Sequence, residues 1–294
     1  MSAPDQNCAA RPPAELGRKL MRLRPWVQTA FLAVWLAPLG RWLHAIPSCV
    51  FHCYSCPLSS FACPVGVAAN YAALFPAVFE VPYLLIGILL LVGALAGSLV
   101  CGWACPLGFA QDLLGKLTLR KLALPAWTGH LRYVVLAGLV ILLPMWLGAR
   151  GIPFDEQSVS ICRLCPAGAL EAGLPYSAHN LMLGNGWLMS WFKTAILVAF
   201  LTSAIVIYRP WCRVFCPLGG WLALFNRWSL FHLRFEAKAC VECNLCRSRC
   251  PVGVKVDEKV NVPGCIRCLE CTTCGAVQPA LALPQEHSEP RKPG

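Results

Sequence analysis

Charge is scarce in this chain. Asp, Glu, Lys and Arg make up 13% of its 294 residues, against 57% that are hydrophobic. That balance excludes an ordinary soluble domain and makes an integral membrane protein the default class. Acidic residues are scarcer than basic ones, 14 against 25 Lys and Arg, for a formal charge of +11. In so apolar a chain the excess reads as a topology signal. No nucleic-acid-binding module accompanies it, so nucleic acid is not expected as a partner. Lys and Arg are missing altogether from Trp42 to Glu80. Histidine is missing from the middle of the apolar runs. His44, His52, His130 and His179 all lie near run ends, so paired axial ligands for a b-type haem are not expected.

What is abundant is cysteine, 19 residues. The length and the apolar runs exclude a small secreted disulfide scaffold. Most of the cysteines fall in short-spaced groups, which favours metal.

The first 25 residues are polar and basic, with Arg11, Arg18, Lys19, Arg22 and Arg24. Apolar runs follow from Trp26 to Ile46, Val81 to Val100, Leu131 to Leu147 and Gly186 to Tyr208. Their lengths predict four transmembrane helices. Basic residues alternate between the connecting segments: Lys116, Arg120, Lys121 and Arg132 follow the second run, and Arg209, Arg213, Arg227, Arg234 and Lys238 follow the fourth. This pattern puts both termini on the cytoplasmic face of a bacterial-type inner membrane. Cys101, Cys105, Cys212 and Cys216 are then inside. Cys49, Cys53, Cys56, Cys63, Cys162 and Cys165 are outside.

The order of elements repeats. A run, then Cys-Pro-x-Gly, then a second run, then Cys-x-x-x-Cys-Pro-Leu-Gly describes residues 26–120 and again 131–230. The expected fold is an all-α polytopic membrane bundle of four transmembrane helices with an internal two-fold repeat, plus a small C-terminal two-cluster ferredoxin-like domain. The expected boundaries are a basic tail (1–25), two membrane repeats (26–130 and 131–235), the ferredoxin-like domain (236–280) and a flexible tail (281–294).

The strongest chemical signal is C-terminal. "CVECNLCRSRCP" sets Cys240, Cys243, Cys246 and Cys250 at the C-x2-C-x2-C-x3-C-P spacing of bacterial ferredoxins, in which the fourth cysteine serves the other cluster. "CIRCLECTTC" supplies Cys265, Cys268, Cys271 and Cys274. One [4Fe–4S] cluster is assigned to Cys240, Cys243, Cys246 and Cys274, the other to Cys265, Cys268, Cys271 and Cys250. A zinc ribbon is the bland alternative, but two overlapping triplets with a crossed fourth ligand do not suit it. Cys274 departs from the usual spacing, because the second run ends C-x2-C-G.

At the inner pairs, Pro106 and Pro217 each follow a cysteine. Proline is tolerated in the first turn of a helix and breaks a helix interior. Cys105 and Cys216 should therefore cap new amphipathic helices lying along the inner membrane surface. The helix N-termini offer amide donors to thiolates. Two cysteines from each repeat give Cys101, Cys105, Cys212 and Cys216, the full ligand count for one further [4Fe–4S] cluster. Buried structural cysteine is the competing reading.

In the outer set, Cys53, Cys56, Cys162 and Cys165 are the symmetrical choice for a possible fourth cluster. Cys63 competes, since it shares the Cys-Pro-x-Gly context, and disulfides are an open alternative on an oxidising face. Glu80 reads as a solvated carboxylate at a run end. Cys8 reads as a free thiol in the polar tail.

Together, "CYSCPLSSFACPVG", "CGWACPLGFAQDLL", "CRLCPAGALEAG", "RPWCRVFCPLGGWLALFNRWSL" and the ferredoxin tail resemble polytopic membrane 4Fe–4S binding proteins. That group includes the quinol dehydrogenase membrane component of periplasmic nitrate reductase systems, the membrane part of the nitrous oxide reduction regulator, and accessory ferredoxin-type proteins of methylamine utilisation. The resemblance covers about residues 45–275. It implies electron transfer between a cytoplasmic donor or membrane quinol and an acceptor on the outer face. It also implies membrane lipid, redox partner proteins and quinone as partners, and an electron carrier that can serve as a quinol dehydrogenase subunit. Two other classes stay open: a transmembrane thiol–disulfide electron transporter, and a redox-sensing assembly or regulatory factor.

Overall fold

The computed structural model describes residues 15–36, 63–117, 122, 124, 126–187, 189–241 and 243–281. Helix α1 spans Glu15–Leu36, α2 Pro64–Val78, α3 Tyr83–Ala96, α4 Leu99–Trp103 and α5 Pro106–Leu114. The long helix α6 runs Trp127–Gly148 and includes a π-helical segment, Leu136–Leu142. Helix α7 covers Ile161–Leu164, α8 the stretch 166–182, α9 Trp191–Val206 and α10 Pro217–Leu224. The C-terminal module opens with strand β1, Phe231–Phe235, contains the short helix α11, Leu245–Ser248, and closes with β2, Val277–Leu281.

Helix α2 packs against the far end of α6. A Cβ on Gly148 would lie 1.9 Å from the Ala73 carbonyl oxygen, so the two backbones approach as only glycine permits. Ala69, Ala73, Val140, Phe154 and Ile161 fill this region. A second core of Leu107, Ala169, Met189, Leu197 and Phe200 joins α5, α8 and α9. In the C-terminal module β1 and β2 pair antiparallel, Phe231 opposite Leu281 and Phe235 opposite Val277. This pairing closes the cysteine-rich segment into a loop over Leu233, Phe235, Val256, Leu269 and Val277.

The four-helix transmembrane bundle expected from hydropathy is not the fold. Among the described residues one helix, α6, is long and apolar enough to cross a membrane. Its 22 residues extend about 33 Å, against a hydrocarbon core of about 30 Å. The second expected span is broken. Its helix starts only after Pro82 and stops at Gly97 (φ 53°), short of Val100. The 14 residues of α3 reach only about 21 Å. The fourth begins at Trp191 behind a Ser190 cap and ends at Val206, leaving 16 helical residues. The first falls partly on α1, whose Arg24 and Gln28 are buried in protein contacts; its remainder lies outside the described residues. Hydropathy counts apolar side chains whether or not the helix through them is continuous. Without four spans, the alternation argument that set Cys162 and Cys165 outside and both termini inside loses its basis.

Candidate iron-sulfur sites

Cys105 and Cys216 are the N-caps of α5 and α10, with Pro106 and Pro217 in the first turn, as the sequence predicts. Each capping sulfur accepts a hydrogen bond from the amide three residues on, Gly108 at 3.4 Å and Gly219 at 3.3 Å. Cys101 sits in α4, and Cys212 in the π-helical turn Trp211–Phe215. Both are buried. The four thiols lie close enough to repel one another as anions. Burial first, and that repulsion second, push Cys101 up to about 12 and raise Cys105 and Cys216 as well. Burial also raises Cys212. Without iron these groups are thiols at neutral pH; metal ligation must displace their protons.

The polar face of α5 does not meet solvent. Gln111 is 1% exposed; its Nε2 donates to Cys212 Sγ at 3.3 Å, and its Oε1 accepts from the Trp211 amide at 3.2 Å. Asp112 takes two bonds from Arg209, at 2.7 and 2.5 Å, and one from Arg24 at 2.9 Å. Burial works to raise the Asp112 carboxyl, but Arg209 and Arg24 hold it below its usual 3.8. Arg209 also donates to the Cys101 carbonyl at 2.6 Å. The expected surface-lying amphipathic helix is thus turned over: Leu113 is exposed, and the polar residues serve the cysteines.

One cavity of the C-terminal module is lined by Cys250, Cys265, Cys268 and Cys271, the crossed set that the spacing assigns to one cluster. Val254 N–H donates to Cys250 Sγ at 3.3 Å, and Arg267 N–H to Cys265 Sγ at 3.4 Å. Left-handed turns at Arg267 (φ 50°) and Leu269 (φ 65°) shape this loop. Burial pushes Cys265 up to about 11 and Cys268 to about 12. Four cysteines around one apolar cavity form a donor set that suits a [4Fe–4S] cluster. Of the other set, Cys240 and Cys246 pack on the module's core. Cys243 is in a disulfide bond. The Cys274 side chain lies outside the described residues.

The two regions touch. A Cβ on Gly102 would lie 2.5 Å from the Ile266 carbonyl oxygen and 3.0 Å from that of Arg267. The backbone between Cys101 and Cys105 thus rests on the backbone between Cys265 and Cys268. Ser98 Oγ and Asn226 Nδ2 both donate to the Cys265 carbonyl, at 2.6 and 2.8 Å. Arg132 at the start of α6 donates to the Pro263 carbonyl at 2.5 Å, and Arg24 reaches Glu270 at 2.9 Å.

Cys49, Cys53 and Cys56 lie outside the described residues. Cys63 caps α2, Cys162 packs on the α2–α6 core, and Cys165 caps α8. Among the described residues no group of three or more His, Cys, Asp or Glu converges tightly enough for a single metal ion. Sequence reasoning missed Gln111, Asp112, Arg24, Arg209 and Arg267. For all but Arg24 the available signal was a charge or amide within three residues of a cysteine motif or on the helix that follows one; nothing near Arg24 in the sequence marks it.

Two thiol sets lie back to back, each with amide donors to sulfur, a donor chemistry that suits iron–sulfur clusters. The comparisons agree. Residues 78–125 and 187–236 each match the 4Fe-4S binding domain family. The uncharacterized protein MJ0750 of Methanocaldococcus jannaschii is 33% identical over 194 residues, 63% of this chain and 71% of that protein. The putative electron transport protein YccM of Escherichia coli is 28% identical, over 68% of this chain and 53% of YccM. The regulatory protein NosR of Pseudomonas aeruginosa is 27% identical, over 58% of this chain and 22% of NosR. No solved structure matches. The chain belongs to this 4Fe–4S-binding family of iron–sulfur electron-transport proteins.

Proposed function

We propose that the protein relays electrons between the C-terminal ferredoxin-like module and a [4Fe–4S] cluster held by Cys101, Cys105, Cys212 and Cys216. The observation that carries this reading is the contact of Gly102 with Ile266 and Arg267, which joins the two cysteine sets through backbone alone. In this scheme the cluster on Cys250, Cys265, Cys268 and Cys271 is the module's exit. The set Cys240, Cys243, Cys246 and Cys274 is the entry for a redox partner. The clusters supply one-electron chemistry; the protein supplies thiolates, amide donors and burial.

Membrane attachment through α6 fits the same scheme. Tyr83, Leu84, Val134 and Trp191 are each more than 60% exposed, and apolar surface of that kind is covered by lipid or by a partner. In this scheme the ferredoxin-like module lies in the reducing cytoplasm of a bacterial-type inner membrane, the compartment that keeps thiols reduced. A quinol or a partner protein exchanges electrons at the other end, where Cys63, Cys162 and Cys165 stand as ligands or disulfide partners.

The test is iron and sulfide analysis with EPR on the purified full chain. Loss of iron from Cys101→Ala/Cys212→Ala, with slower oxidation of the remaining clusters by a quinone analogue, is the expected result. Full iron content in that variant rejects the inner site, and unchanged oxidation rejects the relay.

A further inference from the structure

Two arginines among the described residues are fully buried, and they differ in one respect. Arg209 is neutralised by Asp112. Arg267, also 0% exposed, has no carboxylate within ion-pair distance among the described residues. Its guanidinium donates to the carbonyls of Ala96 at 3.0 Å, Asn226 at 2.5 Å and Phe231, to Ser229 Oγ at 2.6 Å, and to Asn261 Oδ1 at 3.4 Å. All of these acceptors are neutral. Its Nε has no partner. A buried charge is retained only when an opposite charge or a dense set of dipoles compensates it. Arg267 lies between Cys265 and Cys268, and its own amide donates to Cys265 Sγ.

We propose that Arg267 is the fixed counter-charge of the cluster on Cys250, Cys265, Cys268 and Cys271, and that it makes this cluster the more easily reduced one of the C-terminal module. The proposal rests on the ligand reading above. An anionic iron–sulfur group is the opposite charge that the guanidinium otherwise lacks. Reduction adds one electron, and so one negative charge, with no proton required. The guanidinium reaches the cavity wall at Asn261, 3.4 Å away; a fixed positive charge behind that wall favours the reduced form, more strongly in a buried site than in water. Glu270 does not cancel the effect, because Arg24 pairs with it. The acceptors on Ala96, Asn226 and Ser229 lie outside the module, so docking adds them to the hold on the guanidinium. Arg267 is therefore a positioning residue for the relay: it sets which cluster collects the electron beside Gly102.

The experiment is a mediator-controlled EPR redox titration of the full-length protein, with dithionite as reductant. The signal lost in Cys268→Ser identifies the cluster in question. Arg267→Gln is expected to lower its reduction equilibrium constant at least tenfold, about 59 mV for one electron. Arg267→Lys keeps the midpoint near that of the wild type, and so does Arg249→Gln, which removes an exposed charge beside Cys250. An unshifted midpoint in Arg267→Gln, with the signal present, overturns the proposal. If Arg267→Gln fails to load iron, the lysine variant decides: restored loading supports a charge role, and failure in both rejects it. No iron-dependent signal sensitive to Cys268→Ser would instead refute the ligand reading itself, a different and recognisable outcome.

Discussion

At the scale of single residues, the inner site depends on Asp112. It alone among the described carboxylates pairs with both Arg24 and Arg209. Its removal leaves the buried Arg209 guanidinium without an anion and Arg24 with Glu270 alone, and breaking a buried pair from one side costs about 3–5 kcal/mol. Asp112→Ala should lower thermal stability by that amount, read as a melting shift in detergent. The pH dependence has a definite sign. The folded carboxyl titrates below its usual 3.8. Its contribution is complete above that value and is lost as pH falls through the depressed folded one. The stability gap between wild type and Asp112→Asn should therefore be constant near neutrality and close in acid. A gap that widened in acid would contradict the assignment.

Among the elements, the junction and the long helix carry the account. Gly102→Val places a methyl-bearing Cβ 2.5 Å from the Ile266 oxygen. Overpacking of this kind costs about 1–3 kcal/mol. Hydrogen exchange should accelerate at residues 265–268 while the β1–β2 pair keeps its protection. Ile141, half exposed in α6, tests the membrane role. A lysine at the centre of a spanning helix costs about 2.5–3.5 kcal/mol. Ile141→Lys should move protein from the carbonate-resistant fraction into the soluble one, and unchanged fractionation would remove α6 as the anchor. The sequence made some elements legible and hid others. Pro106 and Pro217 announced two helix starts because proline's missing N–H costs nothing in a helix's first turn. The cysteine spacing announced the crossed set around one cavity. The spans misled, because the stop at Gly97 interrupts an apolar run without changing its hydropathy. The polar face of α5 misled too: Gln111 and Asp112 looked like solvent contacts, and only the fold brings Arg209 and Cys212 to them.

At the scale of the whole molecule, iron, redox state and folding are coupled. Cys243 is held in a disulfide, whereas a cluster ligand must be a thiolate. Reconstitution with iron and sulfide should load fully only after a thiol reductant is added, with the shortfall read as iron per chain. Chelation of the iron should lower the melting temperature, since the binding free energy of a metal held by the folded state is lost with it. The central claim is that one cluster joins the two repeated motifs and rests against the ferredoxin-like module. It is tested most directly by iron per chain and EPR of the wild type beside Cys101→Ala/Cys212→Ala. The account predicts that the double variant loses one cluster's iron, about four atoms, while the two ferredoxin signals persist. Unchanged iron and an unchanged spectrum in that variant would contradict it.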